Sequence, residues 1–225
     1  MKSKEKIYLI HAVDVSMNPS KSSFSKLWPD ARITNILEES LASDLSDDGG
    51  MTDAMKSRFK TIGQYCSDAG ATAILFTCSA FGSAIQEVKA EHVFPVLTPN
   101  EALFEEVLEL GGKIALLTTF EPSVAALRSE LAEMSKKLHQ SVEVDSVMVP
   151  GALDALRAGD QAEHDRLIVE VAQEVASRSK DYSAIVFGQF SMSPAAAAAQ
   201  EKIDIPVLTT PDCAVRKLKK MLSSA

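Results

Sequence analysis

The chain of 225 residues is short of positive charge: 23 Lys and Arg against 31 Asp and Glu leave a formal net charge of -8. That balance supplies no basic field for gripping a phosphate backbone, so nucleic acid is not an expected partner. Cysteine is scarce as well. Cys66, Cys78 and Cys213 form no CxxC pair and leave one odd, which fits a reducing compartment better than a disulfide framework. Long hydrophobic runs are missing too. The alanines at 195–199 fall far short of the roughly 20 apolar residues a membrane span requires, and His11 and Asp14 interrupt the apolar stretch that begins at Ile7 before a signal-peptide core could form. The expectation is a cytoplasmic protein with no membrane partner. Hydrophobic residues, at 46%, are plentiful enough to exclude disorder and to build one large core or two small ones.

The most informative feature is a faint internal duplication. Ala73-Ile74-Leu75-Phe76 returns 111 positions later as Ala184-Ile185-Val186-Phe187, and Pro95-Val96-Leu97-Thr98 returns at the same offset as Pro206-Val207-Leu208-Thr209. Lys6-Ile7-Tyr8-Leu9-Ile10 resembles Lys113-Ile114-Ala115-Leu116-Leu117 at an offset of 107. These segments are apolar without polar alternation, as parallel strands covered on both faces are. Amphipathic stretches at 51–69, 100–110, 124–138 and 163–178 predict helices, and weaker strands are expected at 31–36 and 142–149. The fold expected is α/β: two open parallel-sheet domains, residues 1–98 plus 206–225 and residues 99–205. The strand after Pro206 is taken to cross back into the first. Ligands of open parallel sheets bind beyond the carboxyl ends of the strands, so the paired units should face a shared cleft there.

Those strand ends carry His11, Asp14, Ser16 and Asn18; Thr77, Cys78, Ser79 and Gly82; Thr118 and Thr119; and Gln189, Phe190, Ser191 and Met192. The set holds one thiol, several hydroxyls and amides, and neither a metal cluster nor a phosphate-binding loop. Cys78 stands at a strand-to-helix junction, where free backbone N–H groups are expected to lower its pKa and make it reactive. Cys66 and Cys213 read as small core hydrophobes. Ser79, Thr118 and Thr119 suit a carboxylate, although Ser and Thr also close helix starts. His11 and Asp14 could orient groups or relay protons near Cys78, or be structural. His164-Asp165 reads as a helix start rather than a dyad, and Asp44 to Asp48 as a solvated loop.

Leu75-Phe76-Thr77-Cys78-Ser79, Leu116-Leu117-Thr118-Thr119 and Gly188-Gln189-Phe190-Ser191-Met192, set in duplicated α/β halves, resemble the aspartate/glutamate/hydantoin racemase superfamily over nearly the whole chain. The resemblance implies two pseudo-twofold related flavodoxin-like domains, often assembled as a homodimer. It also implies proton exchange at a carbon alpha to a carboxylate or carbonyl, without cofactor or metal. Amino-acid racemases, maleate isomerase and arylmalonate decarboxylase are members. In the two-base racemases a cysteine from each half flanks the substrate carbon. Cys78 matches the first, and the repeat offset carries it onto Gln189, whose amide donates hydrogen bonds but cannot shuttle a proton at neutral pH. The resemblance thus names Cys78 and Gln189 as the catalytic pair. His11, Asp14, Ser16, Asn18, Ser79, Thr118, Thr119, Phe190 and Ser191 would surround a small carboxylate or amino acid. Three readings follow: one-thiol acid–base chemistry, including stereospecific protonation after decarboxylation; covalent attack by Cys78; or binding of a small acid without catalysis.

Overall fold

The computed structural model describes residues 5–223. Four strands, β1 (Lys6–His11), β2 (Arg32–Leu37), β3 (Ala73–Phe76) and β4 (Val96–Leu97), form a parallel sheet in the order β2-β1-β3-β4. A second parallel sheet repeats the pattern with β5 (Lys113–Thr118), β6 (Glu143–Met148), β7 (Tyr182–Phe187) and β8 (Val207–Thr209), in the order β6-β5-β7-β8. The helices are α1 (Met17–Leu27), α2 (Ser40–Asp47), α3 (Asp53–Asp68), α4 (Gly82–Glu91), α5 (Glu101–Leu110), α6 (Glu121–Leu138), α7 (Ala152–Arg157), α8 (Gln161–Arg178), α9 (Ala196–Gln200) and α10 (Thr210–Ser223). Among the described residues no helix is long and apolar enough to cross a membrane.

The missing polar alternation in the central strands has the cause expected of it. Ile7 and Leu9 point to one face of the first sheet and Tyr8 and Ile10 to the other, and all four are buried. Edge strand β2, Arg-Ile-Thr-Asn-Ile-Leu, is only half-buried and accordingly mixed in composition. On one face α3 lays Met55, Phe59, Gly63 and Cys66, at helical spacing, over Ile10, Ile74 and Phe76. Phe59 anchors this core, with ring centroids 5.6 Å from Phe76 and 5.0 Å from Phe81. In the second half α8 buries Ile168, Val169, Ala172 and Val175 against Ala115, Leu117, Ile185 and Phe187. Thr52 caps α3 through Met55 N, and Asp160 caps α8 through Glu163 N, so both helices start at fixed points.

Two units divide the chain: the part up to Ala102 together with that from Ala214 onward, and Leu103–Cys213. The expected return of the chain at Pro206 is therefore corrected. β8 stays in the second sheet, paired with β7 in the register Ile185↔Val207, Val186↔Leu208 and Phe187↔Thr209, just as β4 pairs with β3. A last strand hydrogen-bonds to its own sheet, because its N–H and C=O groups need a ladder partner there. The change of unit falls inside helices α5 and α10 instead, at Ala102 and Cys213, which are 111 positions apart and so obey the repeat.

The segment of α10 that joins the first unit is fastened by charge. Lys217 Nζ donates to Glu101 Oε1 at 2.7 Å, Lys89 Nζ donates to both Glu101 oxygens at 2.7 Å, and Lys219 Nζ donates to Leu27 O at 3.0 Å. Burial alone would raise the Glu101 pKa, but the hydrogen bonds from Lys217 and Lys89 outweigh it and hold the carboxyl below its ordinary value. Stability from this group is complete above the unfolded glutamate value of about 4.3 and is lost as pH falls through the lower folded value. Glu101→Gln is expected to cost about 1–3 kcal/mol near neutrality, less than a fully buried pair because Lys89 reaches water. It should also flatten the acid limb of the stability curve. Urea unfolding at several pH values reads both.

Candidate active site

In each sheet the connections reverse direction between the two middle strands, β1 and β3 or β5 and β7, which makes their carboxyl ends the natural ligand position. In the first unit that point is occupied by a buried polar network. His11, the last residue of β1, is fully buried. Its Nδ1 lies 2.8 Å from Ser16 Oγ and 2.9 Å from Thr77 Oγ1, and its Nε2 lies 3.0 Å from Asn35 Oδ1. Ser16 Oγ donates to Val13 O at 2.9 Å. With Asn35 Oδ1 accepting, Nε2–H is the donor and Nδ1 is left to accept from one hydroxyl, that of Thr77, while the Ser16 hydroxyl is given to Val13 O. The imidazole is then neutral. Burial, opposed by the Asn35 hydrogen bond and helped by the nearby Lys21 charge, lowers its pKa as that arrangement requires. His11 and Ser16 thus hold the loops after β1 and β3 in place rather than offering free polar atoms to a ligand, a correction to their expected role.

Thr77 leads directly to Cys78, an extended residue (φ -121°, ψ 119°) between β3 and the 3-10 turn Ser79–Phe81. The thiol is half-buried and packs beside His11, Leu41, Phe59, Phe76 and Phe81, with no room for a water molecule between them. The expected lowering of its pKa is overturned. Burial raises it, and the one backbone donor acting on the sulfur, the Ala80 N–H, works in the opposite direction with smaller effect. The cause is local: a three-residue turn against aromatic side chains offers little N–H density compared with its desolvation. Cys78 is therefore a protonated thiol at neutral pH. Cys66 is pushed up to about 12 by burial, and Cys213 is buried, as core residues are.

The second unit repeats the local geometry with different chemistry. Gln189 is extended (φ -136°, ψ 145°) between β7 and the 3-10 turn Phe190–Ala195. Its Oε1 accepts from Thr119 N at 2.7 Å and from the Thr119 hydroxyl at 2.9 Å. That leaves the Gln189 NH₂ with two hydrogens to donate and no protein partner among the described residues. Gly188 allows the approach: a Cβ there would stand 3.0 Å from Leu127 Cδ1, 3.1 Å from Leu116 Cδ1 and 3.3 Å from Leu117 O. Thr118, expected as a carboxylate donor, is fully buried and gives its hydroxyl to Met148 Sδ at 3.1 Å.

Of the other residues singled out, Asp14, Asn18 and Ser79 are exposed, Ser191 is half-buried and Phe190 is buried. His164 proves to be more than a helix start. It is fully buried in the first turn of α8, with Nδ1 2.8 Å from Asp165 Oδ1, which also accepts from Gln161 Nε2 at 2.7 Å; its Nε2 has no partner. Asn35 escaped the sequence reading, although a lone amide inside a strand, where Asn is disfavoured, could have marked it. Among the described residues no group of three His, Cys, Asp or Glu side chains could hold a metal ion.

A family model described as Asp/Glu/hydantoin racemase matches residues 43–218. The chain belongs to the Asp/Glu/hydantoin racemase family. Several solved racemase-family structures share its fold. An aspartate racemase homologue from Pyrococcus horikoshii OT3 has a TM-score of 0.72 at 16% identity, covering 98% of this chain and 100% of its own. Allantoin racemase from Klebsiella pneumoniae has a TM-score of 0.72 at 14% identity, with coverages of 98% and 89%. Arylmalonate decarboxylase has a TM-score of 0.61 at 14% identity, with coverages of 96% and 92%. No functionally curated protein matches the chain by sequence. Within this racemase-family fold, Cys78 and Gln189 stand at corresponding strand ends of the two repeats.

Proposed function

We propose that this racemase-family protein is a cofactor-independent enzyme that moves a proton at the carbon alpha to a carboxylate, with Cys78 as its single thiol acid/base. The observation that carries this reading is that a protonated Cys78 thiol and Gln189 occupy equivalent strand-end positions in the two repeats. Gln189 NH₂, Ser79 and the backbone N–H groups of the adjoining turns hold the carboxylate and the enediolate that develops from it. Thr119 fixes the Gln189 amide so that its NH₂, not its oxygen, is free for the substrate.

A raised thiol favours giving a proton over taking one. In exchange, the minor thiolate form of Cys78 takes the alpha proton, so the C–H bond breaks as the S–H bond forms; in the protonation step the S–H bond breaks, its hydrogen joins the enediolate carbon, and the thiolate is reprotonated from solvent. A decarboxylation that ends in protonation from one side needs no second base, and this favours it as the second reading, by similarity to the decarboxylase relative. Covalent attack and removal of an alpha proton both start from the thiolate that burial opposes, whereas protonation after decarboxylation starts from the thiol.

Incubation in D₂O with a panel of amino acids, 2-aryl acids and 5-substituted hydantoins, followed by ¹H NMR, tests the proposal. Enzyme-dependent deuterium at the alpha carbon of at least one compound is expected. Tight binding of such compounds with no incorporation and no loss of CO₂ would replace the enzyme by a binding protein.

A further inference from the structure

Helix α2 lies beside Cys78 in the first unit with little packing of its own to keep it there. The ladder of β2 with β1 runs on to Glu38, whose N–H donates to His11 O at 3.0 Å, and α2 starts two residues later. Among its eight described residues Leu41 alone is buried, and it sits with Phe59, Phe76 and Phe81 against Cys78. The chain leaves α2 through Gly49 and Gly50, both at positive φ (68° and 146°) and both with open space where a Cβ would stand. No close neighbour demands glycine there, so the pair serves the turn itself and leaves it free to swing.

What fastens α2 is charge. Arg58, in the second turn of α3, forks: Nη1 donates to Asp44 and Nη2 to Glu38, and Nη2 also donates to Ser40 Oγ at 2.6 Å. One guanidinium therefore ties the approach, the start and the middle of α2. The second repeat builds the same joint from hydrocarbon. Helices α3 and α8 match by their buried faces, Met55, Phe59, Gly63 and Cys66 against His164, Ile168, Ala172 and Val175, which sets Leu167 in the place of Arg58. A Cβ at Gly151 would stand 3.5 Å from Leu167 Cδ1, so Leu167 packs at the start of α7. The 111-residue offset likewise carries Leu41 onto Ala152, the buried residue of α7. A hydrocarbon fastening is indifferent to salt, whereas the side chains of Arg58, Glu38 and Asp44, exposed by 36%, 32% and 41%, are open to screening. The first repeat thus carries a releasable contact at its thiol, and the second has no counterpart to it.

We infer that Arg58 is a positioning residue: through Glu38, Ser40 and Asp44 it holds α2 down, keeps Leu41 against Cys78 and so sets how far solvent and substrate reach the sulfur. Release of the fork lets α2 turn at Gly49 and Gly50 and lifts Leu41 from the thiol. The bearing of this on turnover rests on Cys78 being the proton-transfer residue; the covering of the sulfur does not.

Alkylation of the native protein by iodoacetamide, an uncharged reagent, mapped to each cysteine by mass spectrometry, tests it. Arg58→Met should speed modification of Cys78 about tenfold, the reach of a two-carboxylate network at this exposure, with Arg58→Lys in between because an ammonium cannot fork. Leu41→Ala, which installs the residue of the second repeat, should speed it with Arg58 in place. Cys66, fully buried beneath α3, is the internal control and should stay protected throughout. Raising NaCl from about 0.05 M to about 1 M should speed Cys78 modification several-fold in the wild type and leave the Arg58→Met rate unchanged. The wild-type salt series needs no variant to fold. Unchanged modification of Cys78 in Arg58→Met, in Leu41→Ala or in salt, or equal acceleration at Cys66, would overturn the inference. Modification that follows Arg58 and salt in a protein that exchanges no deuterium would sustain it while removing the enzymatic reading.

Discussion

Replacing Cys78 with Ser is expected to lower deuterium exchange by about a thousandfold, the range lost when a positioned acid or base is removed. Serine nearly preserves the volume, and the sulfur is only half-buried, so unfolding free energy should change by no more than about 1 kcal/mol. That control separates lost chemistry from lost structure. The pH profile carries further information. Because burial raises the Cys78 pKa, the protonated form persists past the ordinary thiol value of about 8.5: protonation after loss of CO₂ should decline only as pH climbs through the higher value, whereas exchange, which starts from the thiolate, should rise through it. Cys66→Ser, by contrast, should leave exchange intact. Full turnover by the Cys78→Ser protein would reject the assignment of the thiol.

The largest stability effect is expected at His11. His11→Leu leaves Asn35 Oδ1, on a half-buried residue, without its donor, while the Thr77 hydroxyl keeps Ile10 O at 3.2 Å and Ser16 Oγ at 3.0 Å. The stranded amide oxygen costs about 1–3 kcal/mol, and imperfect repacking of the buried ring's space adds to it, for a total of about 2–4 kcal/mol. The wild-type protein also carries a pH signature. The folded His11 pKa is lowered, so its contribution is complete above the unfolded value of about 6.5 and is lost as pH falls toward the folded value. The slope is bounded at about 1.4 kcal/mol per pH unit, the limit for one proton. Urea unfolding from pH 8 to 5 should show that slope in the wild type and a shallower one in the variant. A flat curve in the wild type would mean that His11 is not buried neutral.

The two sheets were legible in the sequence because β1, β3, β5 and β7 are covered on both faces, and an apolar run without alternation records that directly. Cys78 and Gln189 were legible for a different reason: the 111-residue offset ties them whether or not either side chain is understood. What failed was anything set by side-chain direction in three dimensions. Thr118 and Thr119 are neighbours in the chain, yet strand alternation sends one to Met148 and the other toward Gln189. The thiol pKa was misjudged because its sign depends on how much aromatic surface from Phe59 and Phe81 lies against the turn, a quantity no local pattern records. His164 and Asp165 looked like polar punctuation, since adjacency in a helix start does not reveal that the imidazole turns inward.

The place where the chain changes unit bears on how the protein is made. Residues 214–223 belong with the first hundred, held by Lys217 to Glu101 and by Lys219 to Leu27, yet they are translated after the entire second unit. The first unit therefore stays open until the second has been synthesised, and a chaperone would find its longest-lived client surface near the amino terminus.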